Sequence, residues 1–378
     1  NTIKMTRQAF GLVPGQDLTV VPFQGTAQLT QKDIAQNPYI QENARLWDYN
    51  RLQGIYDLTQ TLRQYYDFSD IDIDRYNIAL NDNKPAETQI MLGTRELKQE
   101  GLAAQTWQSI HLQYTHGYGI QASPVNQVDY YGRPVDLISQ SFPFSSTLLP
   151  VSQPRIYFGE QNNAYYSVVN TGLEEIDYPF QTQNAPDAKF KYDGKGGIQL
   201  SNIFVRAAFA YKLGDINLLL SSAITDNSKL IFRRTLLDRV QTIAPFLSYD
   251  SDPYMVVANN RLYWVVDAFT STGLYPHSDR LANLNGQPAN YVRNSVKVVI
   301  DAYDGTTTFY LMDTPSVDPL AQTYANIYPG LFTPFSQMPA ELKAHIRYPE
   351  TLLRIQARVY QNYHVSDPVT FYNNQDLW

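Results

Sequence analysis

The sequence predicts an α+β fold, with antiparallel hairpins and sheets packed against helices that cluster separately. Two features carry that reading. Arg261–Phe269 and Lys297–Tyr303 are apolar runs that each reach an Asp-Ala-aromatic step, with Asp267 and Asp301 lying 34 residues apart. Each run has a second strand-like segment beside it, PYMVVANN before the first and GTTTFYLMD after the second, so the region reads as twin hairpins. Elsewhere, strands sit next to antiparallel partners and helices sit next to helices, not in the strict alternation of a doubly wound sheet.

Residues 1–40 are rich in Gln, Pro and Gly without clear periodicity and read as a surface wrap. A helix is expected from about Ala44 to Tyr66, with Ile55, Leu58, Leu62 and Tyr65 forming one apolar stripe. Next, Asp70, Asp72 and Asp74 alternate with Ile71 and Ile73. Period two predicts a strand with isoleucines inward and aspartates outward. NDNKPAE supplies a turn and TQIMLGTREL the returning strand. A short helix around Gln105–Tyr114 ends at the paired glycines of Thr115–Gly119. RIYFG and YYSVVNT are expected to pair as strands. YDGKGG then leads into two helices, about Gln199–Ser222 and Asn227–Ile243. After the twin hairpins, a last helix runs from Pro349 to His364, with Leu352, Val359 and Tyr363 on one side. With no long linker, the chain reads as one large soluble domain over residues 1–378, divisible into lobes 1–198 and 199–378.

Composition narrows the function. The chain has 378 residues, 43% hydrophobic, which is ample for a sizeable core. Charged residues make up 17% and the formal net charge is −7, against the concentrated basic surface that nucleic-acid binding needs. Cysteine is absent, which removes thiolate chemistry and suits an oxidising compartment. Tyrosine is abundant, at 29 residues, and gives rigid contact area with a polar tip. No apolar run approaches the ~18–20 residues of a bilayer span. With no signal peptide and Asn1 in first place, the chain reads as a soluble piece of something larger.

Taken together, THGYG, RIYFGE, YDGKGG, APFLSYDSDPY, RLYWVVDAF, NYVRNSVKVVIDAYDG and AHIRYPETLLRIQARVYQNYH resemble uncharacterised protein family 0182. The resemblance runs from Thr6–Gly11 to the terminal FYNNQDLW. It implies a bacterial integral membrane protein, with N-terminal transmembrane helices followed by a large extracytoplasmic domain to which this chain corresponds. The resemblance implies its own membrane-spanning N-terminal region as a partner; other envelope proteins or glycans are further expected partners, and nucleic acid is not. The family brings no established activity, cofactor or catalytic residues.

No recognised catalytic motif occurs, so candidate sites rest on chemistry alone. Asp250 and Asp252, in a tight turn before Pro253, could hold Ca²⁺ with Asp267 or Asp301, or simply build the turn. Asp70, Asp72 and Asp74 resemble the start of an EF-hand loop, but Arg75 and Asn81 stand where its glycine and glutamate belong, so a solvated strand face is expected. YDGKGG could cradle an anion or form a turn at Asp193-Gly194. The five histidines form no HExxH pair. His116, with Tyr114, Gly117 and Tyr118, is a ligand-binding candidate, the alternative being a buried, hydrogen-bonded histidine. Arg233, Arg234 and Arg239 give the expected helix a basic side that could meet lipid phosphates.

Asp267 and Asp301 could face one another as a glycosidase pair roughly 5–10 Å apart. Alternatively, they satisfy backbone or an arginine such as Arg293, itself a ligand-binding candidate. The reading as a whole is a non-catalytic extracytoplasmic binding or assembly domain. Its alternatives are an envelope hydrolase using the paired aspartates and a regulatory domain of a transporter.

Overall fold

The computed structural model describes residues 1–22, 25, 28–59, 63–80, 84–138, 142–161, 164–179, 187–312, 318–376 and 378. The twin hairpins form its centre. Tyr254–Ala258 pairs with Arg261–Thr272, and Tyr291–Asp301 pairs with Thr307–Leu311. The two long strands then pair with each other antiparallel, Val265 opposite Val299 and Asp267 opposite Lys297. Ser248–Tyr249 and a parallel Phe332–Pro334 complete a six-stranded sheet. Both faces of the central pair are covered, which explains apolar runs without alternation.

One face packs Trp264, Val266, Val298 and Ile300 against Tyr76, Ile90 and Ile120 of a second, four-stranded sheet. That core also takes Leu236 and Val240 of the helix Leu236–Ile243, so it draws on residues from both sides of position 198. The other face packs Val256, Val265 and Val299 on Met338 and Leu342. At the far end, Phe269, Tyr291 and Val292 meet the first helix, Thr2–Ala9, and the last, Glu350–Tyr363. Leu352, Val359 and Tyr363 of that last helix are buried together, and Pro349 stands just before it, as the sequence spacing predicts.

Several elements differ from expectation. The helix expected over 44–66 spans Tyr49–Thr59; it buries Leu52 and Tyr56 while Leu58 is 87% exposed, and Leu62 lies outside the described residues. The strand Asp72–Ile78 shows period two with the opposite phase. Asp72, Asp74, Tyr76 and Ile78 are buried and Ile73 only partly so. Burial of the aspartates is possible because each is met. Asp72 accepts from the Met255 amide at 2.9 Å and Arg347 Nη1 at 3.1 Å, and Asp74 lies 2.8 Å from His345 Nδ1.

RIYFG and YYSVVNT do not pair with each other. Arg155–Ile156 pairs with Gly117–Tyr118, and Tyr166–Val169 pairs with Lys229–Phe232. That last strand occupies the first part of the helix expected over 227–243, because the short β-rich run Leu230-Ile231-Phe232 precedes a separate helix. The helix expected over 199–222 spans Ile203–Leu213, capped by Asn202 and ended by Gly214 at φ +67°.

The central strands also bury charge. Lys297 is 1% exposed, and its ammonium is bonded to Asp267 and to the Arg347 carbonyl. Removing one member of such a pair strands the other charge without solvent. Lys297→Met is therefore expected to lower stability by about 3–5 kcal/mol in urea unfolding. Adding Asp267→Leu to the same chain should recover most of that loss.

Candidate metal centre

Three carboxylates remote in sequence converge beside the central sheet. Asp70, Glu160 and Asp252 each offer an oxygen, and these oxygens all lie within 4.8 Å of one another. The convergence follows from the buried strand aspartate. Asp72 hydrogen-bonds the Met255 amide, clamping the start of the 72–78 strand onto the 254–258 strand and setting Asp70 beside the turn that carries Asp252.

Glu160 arrives by a second clamp. Buried Glu96 accepts from the backbone amides of Glu160 and Gln161, each at 3.1 Å. Ser69 Oγ lies 3.2 Å from Glu96 and 3.1 Å from Glu160, joining the two acids. Gly159 leaves room for the Glu96 carboxylate, because a Cβ there would lie 1.9 Å from its Oε2 and would displace it.

The electrostatics are those of crowded acids. Burial, followed by the charges of Asp72 and Asp252, pushes the Asp70 carboxyl up to about 8. Burial pushes Asp72 up to about 6 against the pull of Arg347, and lifts Glu160 well above the carboxylate range, helped by Asp70 and Glu96. Oxygens bound to one Ca²⁺ at about 2.3–2.6 Å can stand up to about 5 Å apart, so this spacing lets one ion bind all three groups. Asp252 is exposed and the other two partly so, which leaves the remaining positions open to water.

Asp250, the neighbour of Asp252, points elsewhere. Both line a cleft of about 340 Å³ with Asp267, Arg347, Tyr348 and Arg354. Asp267 and Asp301 do not face one another. Asp301 stands opposite Tyr263, four positions from Asp267 along the same strand, roughly 13 Å away. Asp267 holds Lys297 and Asn294, while Asp301 takes Arg261 on two bonds of 2.9 Å each. Arg293 contacts neither; it reaches the Gln8 carbonyl and lies 3.5 Å from Asp17.

The histidine candidate lies in the interior. His116 is 2% exposed, its Nδ1 lies 3.0 Å from the Gly117 carbonyl, and burial drives its pKa down to about 3. Gly117 gives close backbone approach, since a Cβ would sit 2.6 Å from the Arg95 carbonyl. Tyr118 is buried against Phe142 and Tyr178, which stack on each other, and the Tyr114 carbonyl receives the Gln99 amide at 3.0 Å. In YDGKGG, the Lys195 and Gly196 amides are taken by Asp304 and the Tyr192 hydroxyl, so they are not offered to an anion. Of the expected basic side, Arg234 is buried on the Tyr157 and Thr115 carbonyls, and Arg239 is bonded to the Gly305 carbonyl.

Asp70 was legible only as a strand-face residue, and Glu160 and Glu96 carried no signal. Glu160 simply follows RIYFG. The three acids are separated by 90 and 92 residues, which no spacing rule links.

An α+β domain presenting a three-carboxylate centre is thus what the fold and the site define. The chain belongs to the uncharacterised protein family UPF0182, whose model matches residues 1–378. It is 44% identical over 382 residues to a UPF0182 protein of Sulfurovum sp. (strain NBC37-1), covering 100% of this chain and 40% of that protein. It is 43% identical over 380 residues to a UPF0182 protein of Clostridium acetobutylicum, with coverage of 100% and 40%. For a UPF0182 protein of Pelotomaculum thermopropionicum the identity is 43% over 378 residues, with coverage of 100% and 39%. The chain spans about 40% of the length of the curated relatives it matches. No solved structure matches it.

One interior acid gives a pH signature apart from the triad. Glu175, bonded by Thr115, Tyr157 and the Tyr192 amide, is pushed up to about 7 by burial. The folded chain therefore keeps a proton that the unfolded chain releases near pH 4.5. Its contribution is full below that pH and is lost as pH rises through 7. Thermal unfolding of Glu175→Gln, which cannot ionise, should fall less steeply between pH 5 and 8 than that of the parent chain.

Proposed function

We propose that this chain is a cation-dependent, non-catalytic binding domain of the bacterial cell envelope. It is the extracytoplasmic part of a longer integral membrane protein. The observation that carries the reading is the convergence of Asp70, Glu160 and Asp252 on one point. Ca²⁺ there takes the place of the protons that the raised carboxyls of Asp70 and Glu160 hold, ties three segments together, and so couples cation supply to the shape of the adjoining cleft. That cleft offers carboxylates, the guanidinium group of Arg354 and the exposed ring of Tyr348, a set suited to envelope glycans or a protein partner. Absence of cysteine supports an extracytoplasmic setting. Among the described residues no helix is long and apolar enough to cross a membrane. In this reading the membrane spans belong to the rest of the longer protein, and those spans are a partner of this domain.

A hydrolase reading draws on one specific observation, the raised carboxyl of Asp70 beside Asp252. Spacing weighs against it. Glycoside hydrolysis needs carboxyl groups about 5–10 Å apart, wider than this triad.

Thermal unfolding in millimolar Ca²⁺ and then in chelator tests the proposal. A site held at a hundred times its dissociation constant adds about 2.7 kcal/mol, a visible rise in melting temperature. Asp252→Asn, which removes one of the three charged ligands, should abolish that rise. Coinciding curves for the parent chain would remove the cation from the account. The placement is tested separately with the exposed Gln287→Cys in the full-length protein. An impermeant thiol reagent should label it on intact cells, and labelling only after lysis would overturn the extracytoplasmic assignment.

A further inference from the structure

A second cavity, of about 410 Å³, opens between the 291–301 strand and the 350–363 helix. Its body is apolar, with Phe10, Val292, Met312 and Leu352 in the wall. Three cationic residues, Arg293, Lys297 and Arg347, line it, with one carboxylate, Asp17, 3.5 Å from Arg293 Nη1. We infer that this cavity binds a ligand with an apolar body and a single acidic head, and that the head docks on Arg293, Lys297 and Arg347.

The cations are built in. Asp267 and the Arg347 carbonyl hold the Lys297 ammonium, so two of its three hydrogens are accounted for. Arg347 lies over the Tyr254 ring at 4.0 Å and gives Nη1 to Asp72. Its Nε and Nη2 are buried and have no hydrogen-bond partner among the described residues. Buried donors left unmade are costly, and the Nε–Nη2 edge is the one that matches a carboxylate or phosphate side-on. Gly11, at φ +68°, makes room for Arg293, because a Cβ there would lie 2.8 Å from Arg293 Nη1. The volume falls in the range of small-molecule sites, and a mostly apolar lining with few convergent polar groups is their usual composition. This cavity shares only the Arg347–Pro349 wall with the carboxylate-lined cleft, and none of the three converging acids lines it.

Titration calorimetry with decanoate, decanol and decylamine tests the assignment. Decanoate should bind, decanol at least tenfold more weakly, and decylamine not at all. Arg293→Gln should weaken decanoate at least tenfold, and Met312→Trp, which fills the mouth without removing charge, should abolish binding. Circular dichroism and unfolding curves establish that each variant is folded. Equal binding of decanoate and decanol would overturn the inference, as would no binding, or full decanoate affinity in Arg293→Gln. Sedimentation with phosphatidylglycerol and phosphatidylcholine vesicles separates two sources of the acid. Retention on phosphatidylglycerol alone, lost in Met312→Trp, identifies a membrane lipid; decanoate binding without retention identifies a free acid.

Discussion

Buried carboxylates that must each find a partner organise this structure. Asp72, Asp74, Asp267 and Asp301 all lie in strands and are all largely withdrawn from water. An ionised carboxylate in such a place is costly unless paired, so each strand is fixed to whatever supplies its donor. Asp72 and Asp74 fetch Arg347 and His345 from the far end of the chain, Asp267 takes Lys297, and Asp301 takes Arg261. These pairings do not measure stability by themselves, since apolar replacements can serve as well. What they set is register: the 72–78 strand meets the 254–258 strand where Asp72 can reach the Met255 amide.

That register brings the acidic centre into being. Once Asp72 is clamped, Asp70 and Asp252 are neighbours, and Glu96 holds the Glu160 backbone against them. Two layers result. Glu96 is satisfied by amides and positions the site, whereas the oxygens of Asp70, Glu160 and Asp252 converge within 4.8 Å of one another. The cleft beside Asp252 and the cavity beyond Arg347 share one wall, residues 347–349, so Arg347 stands between a carboxylate-lined space and a cation-lined one. A domain arranged in this way is suited to holding ligands in a defined geometry. That is the role proposed for it, and the chain spans about 40% of the length of the curated relatives it matches.

The sequence made some of this plain and concealed the rest for physical reasons. The twin hairpins and the last helix could be read directly, because long apolar runs and a three-to-four spacing reflect burial on both faces and on one face respectively. The phase of the 72–78 strand could not. Hydropathy places aspartate outward, and only the distant Arg347 and His345 make the inward choice affordable. The strand at Lys229–Phe232 escaped because four residues beside a helix carry too little periodicity to separate from it. At the site, Asp252 was visible as a turn acid, but its companions come from segments about 90 residues away in each step. Non-local convergence of that kind is a property of the fold.

The central claim is that three remote carboxylates share one divalent cation. Its most direct test is a crystal structure grown in Mn²⁺ as a Ca²⁺ substitute, with anomalous diffraction recorded at a wavelength where the metal scatters. The account expects one strong anomalous peak bounded by Asp70, Glu160 and Asp252 at coordination distance. A map without that peak at millimolar metal would contradict it.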